Sequence, residues 1–197
     1  MVLVTSTYKV LKRLDQAPDF SLRSISGKSY SLRDFGKPVL LVIFICNHCP
    51  YVLPKIQYLK KLKVRYMDKG LDVVAINPND PTHHPEDSFE GMTKTAMEQG
   101  FNFPYLHDPT QEVAKKYGAM CTPDPYLFDE QRRLVYHGRI DDAHKQPNEN
   151  AKSNDLENAI KQVLETGNSS VETMPSMGCS IKWKVGNEPK YFLDKIA

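Results

Sequence analysis

Two cysteines separated by two residues are the feature of the sequence best suited to chemistry. Cys46 and Cys49 follow the apolar run Val39 to Ile45, which is typical of a strand buried on both faces. Pro50 comes next and suits the first turn of a helix, where its missing N–H has no cost. We therefore predict that both thiols lie at a strand-to-helix junction, on one face of a helical turn and within reach of a disulfide bond.

A thiolate at this junction would be stabilised by the predicted helix. Helix N-termini carry unsatisfied N–H groups and a partial positive charge, and a protonated His48 would add a further positive charge beside Cys46. We expect the pKa of Cys46 to be lowered into the range of about 3.5–7.5. Cys46 would then attack, and Cys49 would resolve the mixed disulfide. The alternative for His48 is an exposed residue on the first helical turn.

A Cys-x-x-Cys pair is also half of many structural zinc sites. Such a site needs a second pair of ligands at similar spacing, whereas the remaining cysteines, Cys121 and Cys179, are isolated in the sequence. The pattern favours a redox-active dithiol, and we expect no cofactor and no resident metal. A non-enzymatic copper or metal carrier that uses Cys46, Cys49 and His48 stays open as an alternative, because soft thiolates suit Cu(I).

Length and charge restrict the function classes. A chain of 197 residues is long enough for one domain, and its net charge of +2 gives no reason to expect nucleic acid or a membrane as partner. The sequence has no apolar window of transmembrane length, and its first residues lack the pattern of a signal peptide. Four cysteines are too few for a disulfide scaffold. We therefore expect a cytoplasmic protein with reduced thiols; the sequence leaves its oligomeric state open.

Apolar periodicity and turn residues predict an α/β fold in which the first two long strands are parallel. The predicted elements are a hairpin at 17–30, a strand at 39–45, a helix at 50–69 kinked by Pro54, a strand at 71–76, helices at 85–100 and 108–117, hairpin strands at 126–128 and 134–136, and a helix at 156–167. We predict an N-terminal extension at 1–16, a main domain at 17–167 and a C-terminal tail at 168–197, which packs on the domain or trails from it.

This order resembles the thioredoxin fold. The resemblance rests on the strand that leads into Cys46 and Cys49, on Pro54, and on Thr122-Pro123 just before a hairpin. The motif A-P-D-F at 17–20 and the insertion after the second central strand are similar to the alkyl hydroperoxide reductase/thiol-specific antioxidant superfamily. The motifs F-I-C-N-H-C-P-Y-V, P-E-D-S, F-P-Y-L, C-T-P-D, G-R-I-D-D and G-C-S-I-K-W-K resemble peroxiredoxin-like thioredoxin-family proteins. The resemblance implies a central mixed β-sheet flanked by helices, with an N-terminal β-hairpin.

The resemblance also implies roles for residues outside the dithiol. Pro123 would be cis and face the thiols, and it would expose the backbone of Thr122 to an extended substrate that pairs with it as an added strand. Cys121 lies at a rim position of the fold and is either an auxiliary redox thiol or a small buried hydrophobe. Cys179, which we expect to be exposed in the tail, is either inert or a resolving partner for Cys121 or Cys46.

Two departures from related families bear on the chemistry. Peroxiredoxins resemble one another in a P-x-x-x-T-x-x-C site, but the threonine position here holds Cys46 or Ile43, so the hydroxyl that orients peroxide is missing. The strand position that carries a buried carboxylate in thioredoxins holds Leu40. Another group must therefore accept the proton of the second thiol.

Charged residues after the predicted hairpin are candidates for that proton relay. Arg139, Asp141 and Asp142 should lie on the active-site edge; the alternative is an ion pair at the surface. The sequence as a whole predicts a thiol–disulfide oxidoreductase that acts on protein or small-molecule disulfides. A peroxiredoxin-like thiol peroxidase with antioxidant activity, for which peroxides are the substrates, is the second prediction, and the metal carrier is the third.

Overall fold

The computed structural model describes residues 3–196, which form a mixed α/β structure with helices on both faces of a central sheet. The strands are β1 (Leu3–Thr5), β2 (Ser21–Ser24), β3 (Ser29–Ser31), β4 (Val39–Phe44), β5 (Leu71–Asn77), β6 (Tyr105–His107), β7 (Cys121–Thr122), β8 (Asp124–Phe128), β9 (Leu134–His137) and β10 (Met177–Ser180). The α-helices are α1 (Ile56–Tyr66), α2 (Phe89–Gln99), α3 (Glu112–Tyr117), α4 (Asp155–Thr166) and α5 (Lys190–Ile196).

The central sheet confirms the predicted thioredoxin-like fold class. Its strand order is β3-β2-β6-β5-β4-β8-β9. Strands β4, β5 and β6 are parallel, and β8 and β9 add an antiparallel hairpin beside β4. The predicted N-terminal hairpin is β2–β3, and the predicted insertion after β5 contains α2.

Strand β4 is buried on both faces, as its apolar run predicts. Leu41 and Ile43 belong to one core cluster, together with buried residues of α1, α2 and α4, whereas Leu40 and Val42 belong to the other, with α3 and the C-terminal segment. Successive side chains of a strand point to opposite faces, so β4 contributes side chains to both clusters and separates them. The thiols that follow it are thereby held on a rigid support.

The segment after the thiols differs from the predicted helix. Residues 50–52 form turns, Leu53–Lys55 is a 3₁₀ helix that contains Pro54, and α1 begins only at Ile56. Pro54 therefore precedes the α-helix rather than kinking it, because a proline lacks the N–H that regular α-helical hydrogen bonding requires. Cys46 does not lie at the N-terminus of an α-helix, and the predicted stabilisation of its thiolate by a helix end is wrong.

A second, three-stranded sheet joins the N-terminal residues to the C-terminal tail. Its order is β1-β10-β7, with both pairs antiparallel. The tail therefore packs on the rest of the protein, and Ile181, Trp183 and Phe192 fill the second core cluster. None of the helices within residues 3–196 is long and apolar enough to cross a membrane.

Candidate active site

The two sulfur atoms of the dithiol meet one residue, Thr122. Cys46 Sγ lies 3.2 Å from Thr122 Oγ1, and Cys49 Sγ lies 3.1 Å from the backbone oxygen of Thr122. The peptide bond between Thr122 and Pro123 is cis, as the resemblance implies. Cys46 is 1% exposed and Cys49 is fully buried, and all four cysteines of the chain are in the thiol form. The site is therefore built from the segment that follows β4 and from β7.

The edge of β7 at Thr122 is covered by a strand of the protein's own C-terminal tail. Strand β10 pairs with β7 in the register Cys179 opposite Thr122 and Ser180 opposite Cys121. Thr122 is only 1% exposed, so the prediction that its backbone is open to substrate is wrong for this state. Gly178 makes the approach possible: a Cβ there would lie 2.0 Å from the Thr122 oxygen, closer than atoms in contact can come.

The tail carries Cys179 to the dithiol. The prediction of an exposed tail thiol is wrong, because Cys179 is 3% exposed and belongs to the same core cluster as Cys46 and Cys49. Its thiol hydrogen-bonds to Cys49, not to either of the partners considered from the sequence. Three sulfur atoms thus form one cluster, with Cys49 between the other two.

Cys121 does not belong to the three-sulfur cluster. It is fully buried in the second core cluster, its sulfur lies 3.7 Å from the Ser6 hydroxyl, and burial raises its pKa. These surroundings match the small buried hydrophobe. Adjacent strand residues face opposite sides, which explains why Thr122 reaches the dithiol and Cys121 does not share its cluster.

The hydrogen bonds of the cluster favour negative charge on the central sulfur. Hydrogen bonds from Cys179 and Cys46 lower the pKa of Cys49, whereas burial, hydrogen bonding to Cys49 and the charge of Asp87 raise the pKa of Cys46. The prediction that Cys46 has the depressed pKa is therefore wrong for this state. The Thr122 oxygen favours a proton on Cys49 instead, since a thiol can donate to it and a thiolate cannot. Cys49 therefore has partners for both protonation states: the thiol can donate to the Thr122 oxygen, and the thiolate can accept from Cys46 and Cys179.

Asp87 is a site residue that the sequence analysis missed. It is fully buried, and its carboxylate accepts hydrogen bonds from the backbone N–H of Asn47 at 2.7 Å and from Asn79 Nδ2 at 2.8 Å. His48 Nδ1 lies 2.7 Å from the same carboxylate. Burial alone would raise the pKa of Asp87, but these partners together lower it. The available signal is the P-E-D-S motif, which the sequence analysis uses for the family resemblance and for the start of a helix but not as part of the site.

His48 is neither an exposed residue nor an isolated positive charge. Its side chain is 8% exposed, pairs with Asp87 and stacks on the ring of His84 at a centroid distance of 4.0 Å. A proton on His48 is therefore balanced by the carboxylate. This pairing weakens the predicted action of His48 on the Cys46 thiolate, because ligand atoms of His48 and of the oppositely charged Asp87 both lie within 4.8 Å of that sulfur.

The candidates for a proton relay are held by other partners. Asp141 is buried and accepts two hydrogen bonds of 2.7 Å from Lys55 Nζ. Arg139 pairs with Asp155, and Asp142 accepts from two backbone N–H groups. Asp141 is thus not the surface ion pair considered above, and these contacts give all three side chains structural roles in the loop after β9.

Potential metal ligands lie in a different combination from the predicted one. Ligand atoms of Cys46, His48 and Asp87 lie within 4.8 Å of one another, as do those of His48, His84 and Glu86. The first set pairs one thiolate with a nitrogen and an oxygen ligand, which suits a borderline cation such as Zn²⁺ better than Cu(I). The metal carrier that uses Cys46, Cys49 and His48 thus stays a prediction without support from this geometry.

Comparisons with known proteins agree with the thioredoxin-like fold. Residues 12–160 match the model of the Redoxin family. The chain is 27% identical over 124 residues to the thiol–disulfide oxidoreductase ResA of Bacillus thuringiensis, covering 61% of this chain and 65% of that protein. It is 36% identical over 132 residues to the thioredoxin-like protein YneN of Bacillus subtilis, covering 66% and 69% of the two chains.

Two further matches extend the comparison. A putative peroxiredoxin of Mycobacterium tuberculosis is 29% identical over 106 residues, covering 53% of this chain and 62% of that protein. The crystal structure of an uncharacterized conserved protein from Geobacillus kaustophilus superposes with a TM-score of 0.84 at 43% identity, covering 93% of this chain and 97% of that one. The chain thus spans just under two thirds of the length of the ResA relative, but nearly all of the Geobacillus structure.

Proposed function

Because this chain belongs to the Redoxin family, we propose that it is a thiol–disulfide oxidoreductase that uses the Cys46–Cys49 dithiol. One observation carries the proposal: both sulfur atoms contact Thr122, next to a cis proline, at 3.2 and 3.1 Å. This arrangement holds two thiols side by side at a strand edge that can accept an extended chain. Similarity to thiol–disulfide oxidoreductases supports the same chemistry.

The proposed reaction begins with a proton transfer inside the cluster. The Cys46 thiol hydrogen-bonds to Cys49, so Cys49 can accept that proton and leave Cys46 as the thiolate. Cys46 then attacks a substrate disulfide and forms a mixed disulfide, and the departing thiolate takes the proton from Cys49. The Cys49 thiolate next attacks Cys46 and releases the second substrate thiolate. Cys49 thereby replaces the carboxylate that is missing at Leu40.

The proposed substrate is a disulfide carried by an extended polypeptide. Strand β10 shows that the edge of β7 accepts an antiparallel strand in which a cysteine lies opposite Thr122. A substrate strand that displaces β10 would place its own cysteine at the same position, beside Cys49. Displacement is required, because neither Cys46 nor Cys49 is more than 1% exposed in the present state. A cytoplasmic location stays a prediction.

Side-by-side assays of one preparation test the proposal. The wild-type protein should reduce the disulfides of insulin with dithiothreitol as electron donor, Cys46→Ser should abolish turnover, and Cys49→Ser should accumulate mixed disulfides. Cys121→Ala is the matched control and should stay active, because Cys121 lies in the other core cluster. Insulin reduction by Cys46→Ser at the wild-type rate would refute the proposal.

A thiol peroxidase is the second candidate, and one observation favours it. The hydroxyl that the sequence motif lacks is present in space, since Thr122 Oγ1 lies 3.2 Å from Cys46 Sγ. Consumption of hydrogen peroxide, measured on the same preparation, separates this candidate from the first. Metal analysis of the purified protein separates both from a metal carrier: stoichiometric copper or zinc, lost on substitution of Cys46, would support the carrier.

A further inference from the structure

The tail strand brings a third thiol to the dithiol, and the structure shows what fixes it there. Cys179 lies opposite Thr122 in the β10–β7 ladder, and Ile181 N donates to Met120 O at 3.1 Å on the same edge. The Thr122 oxygen, which faces Cys49, also lies against Gly178. Cys179 thus occupies the position that the cysteine of an extended substrate would take. Its place beside Cys49 comes from backbone pairing, so it does not depend on a flexible chain.

We propose that Cys179 is a third redox residue, which exchanges into the Cys46–Cys49 disulfide and forms a disulfide between Cys49 and Cys179. The Cys179 thiolate attacks Cys49 Sγ, the bond between Cys46 and Cys49 breaks, and Cys46 leaves as a thiolate. One disulfide replaces another, so no oxidant or reductant is consumed. The proton of the Cys179 thiol passes to Cys46. The proposal rests on the proposed function only for the oxidation that first creates the Cys46–Cys49 bond.

The exchange has a consequence for access to the site. A disulfide between Cys49 and Cys179 ties β10 covalently to the dithiol and keeps the edge of β7 covered, while Cys46 returns to the thiol form. The oxidised protein would therefore exist in two forms. The Cys46–Cys49 form lets β10 leave and a substrate strand enter, whereas the Cys49–Cys179 form is closed. The tail would then limit which disulfides and thiols reach the dithiol.

A glutathione equilibration in the Cys46→Ser background tests this inference. Cys49 is then left with two partners, glutathione and Cys179, and alkylation followed by peptide mass spectrometry measures both products. Thiols fixed in one structure have effective concentrations of millimolar or more. Attack of Cys179 on the Cys49–glutathione mixed disulfide releases reduced glutathione, so at reduced-glutathione concentrations well below that range we expect the Cys49–Cys179 disulfide to exceed the mixed disulfide by about tenfold or more.

Two glycine substitutions in the same background test the role of the strand. Gly178→Ala should lower the product ratio by about tenfold, because its Cβ would lie 2.0 Å from the Thr122 oxygen and cost the ladder at least one hydrogen bond. Gly36→Ala is the matched control and should leave the ratio unchanged, since a Cβ there meets nothing within 4 Å. An unchanged ratio in Gly178→Ala would overturn the assignment of Cys179 to the strand-bound position.

The outcome also separates this inference from the proposed function. If Cys49 appears only as the glutathione mixed disulfide or as the thiol, Cys179 does not exchange and the inference fails, even where the wild-type protein reduces insulin. If the Cys49–Cys179 disulfide forms but the wild-type protein reduces no protein disulfide, the inference stands and the proposed function fails.

Discussion

The hydrogen bond from Cys179 to Cys49 allows a prediction of both acidity and redox potential. Cys179→Ala removes the donor, whereas Cys179→Ser keeps a donor of similar size but cannot form a disulfide. Comparison of the two variants therefore isolates the hydrogen bond from any redox role of Cys179. This hydrogen bond is the largest of the effects that lower the pKa of Cys49.

The expected magnitude follows from the strength of hydrogen bonds to charged groups. Such a bond contributes about 1.5–3 kcal/mol, and one pKa unit corresponds to about 1.36 kcal/mol. Relative to Cys179→Ser, Cys179→Ala should raise the pKa of Cys49 by roughly one to two units. Less stabilisation of the thiolate also destabilises the reduced form. Since about 30 mV corresponds to 1.4 kcal/mol for a two-electron couple, the reduction potential of the Cys46–Cys49 disulfide should fall by roughly 30–60 mV.

Thiolate ultraviolet absorbance across pH measures the pKa, and a redox titration against glutathione measures the potential. Both quantities report the same stabilisation of the thiolate, so they must move together. Equal pKa values in the two variants would refute the hydrogen bond as the cause. A shift in potential without a shift in pKa would place the effect in the packing of β10. Faster alkylation of Cys46 than of Cys49 at neutral pH would contradict the assignment of the charge to Cys49.

Three other measurements test the surroundings of the dithiol. Asp141→Asn should lower the free energy of unfolding, measured in urea, by about 3–5 kcal/mol, because it leaves buried Lys55 without its counter-ion. A loss of activity at unchanged stability would instead indicate that Asp141 acts in a proton relay. The free energy of unfolding of the reduced protein should fall relative to that of the oxidised protein as pH drops below about 8.5, the pKa of an unperturbed thiol. The reason is that the lowered pKa of Cys49 stabilises the fold only while that thiolate is charged. Parallel plots of stability against pH for the two forms would contradict this. Hydrogen peroxide should oxidise Cys46 slowly, since this thiol is 1% exposed, and rapid stoichiometric trapping of a sulfenic acid would refute that expectation.

Local sequence patterns predicted much of the fold because each has a local physical cause. The apolar run at 39–44, rich in β-branched residues, predicts a buried strand. The glycines after α2, α3 and α4 end those helices with positive φ angles. The pairing of the dithiol with Thr122-Pro123 came from the resemblance. It could not be derived from spacing, because the two segments lie more than 70 residues apart.

The site residues that the sequence did not predict depend on contacts between distant segments. Strand β10 has the sequence M-G-C-S in a tail rich in Gly, Pro and Ser, and it is a strand only because β1 and β7 pair with it on both sides. Asp87 lies 40 residues from the N–H group that it binds. The predicted pKa of Cys46 is wrong for a related reason: it rests on an α-helix at Pro50, whereas turns and a 3₁₀ helix occupy that segment.

The position of β10 explains how the proposed reaction of a closed dithiol with a polypeptide is possible. In the three-stranded sheet β10 is the central strand, and its ladder with β7 comprises the pairs Cys179–Thr122 and Ser180–Cys121, extended by one backbone hydrogen bond from Ile181 N to Met120 O. A backbone hydrogen bond contributes only about 0.5–1.5 kcal/mol, and an incoming strand in the same register would restore the bonds that β10 gives up. Exchange of one strand for another thus has a small net cost along this edge. The larger barrier is the removal of buried Ile181 and Trp183 from the core, so the tail can expose Thr122 most easily by moving at Met177–Ser180 while its C-terminal anchor stays in place.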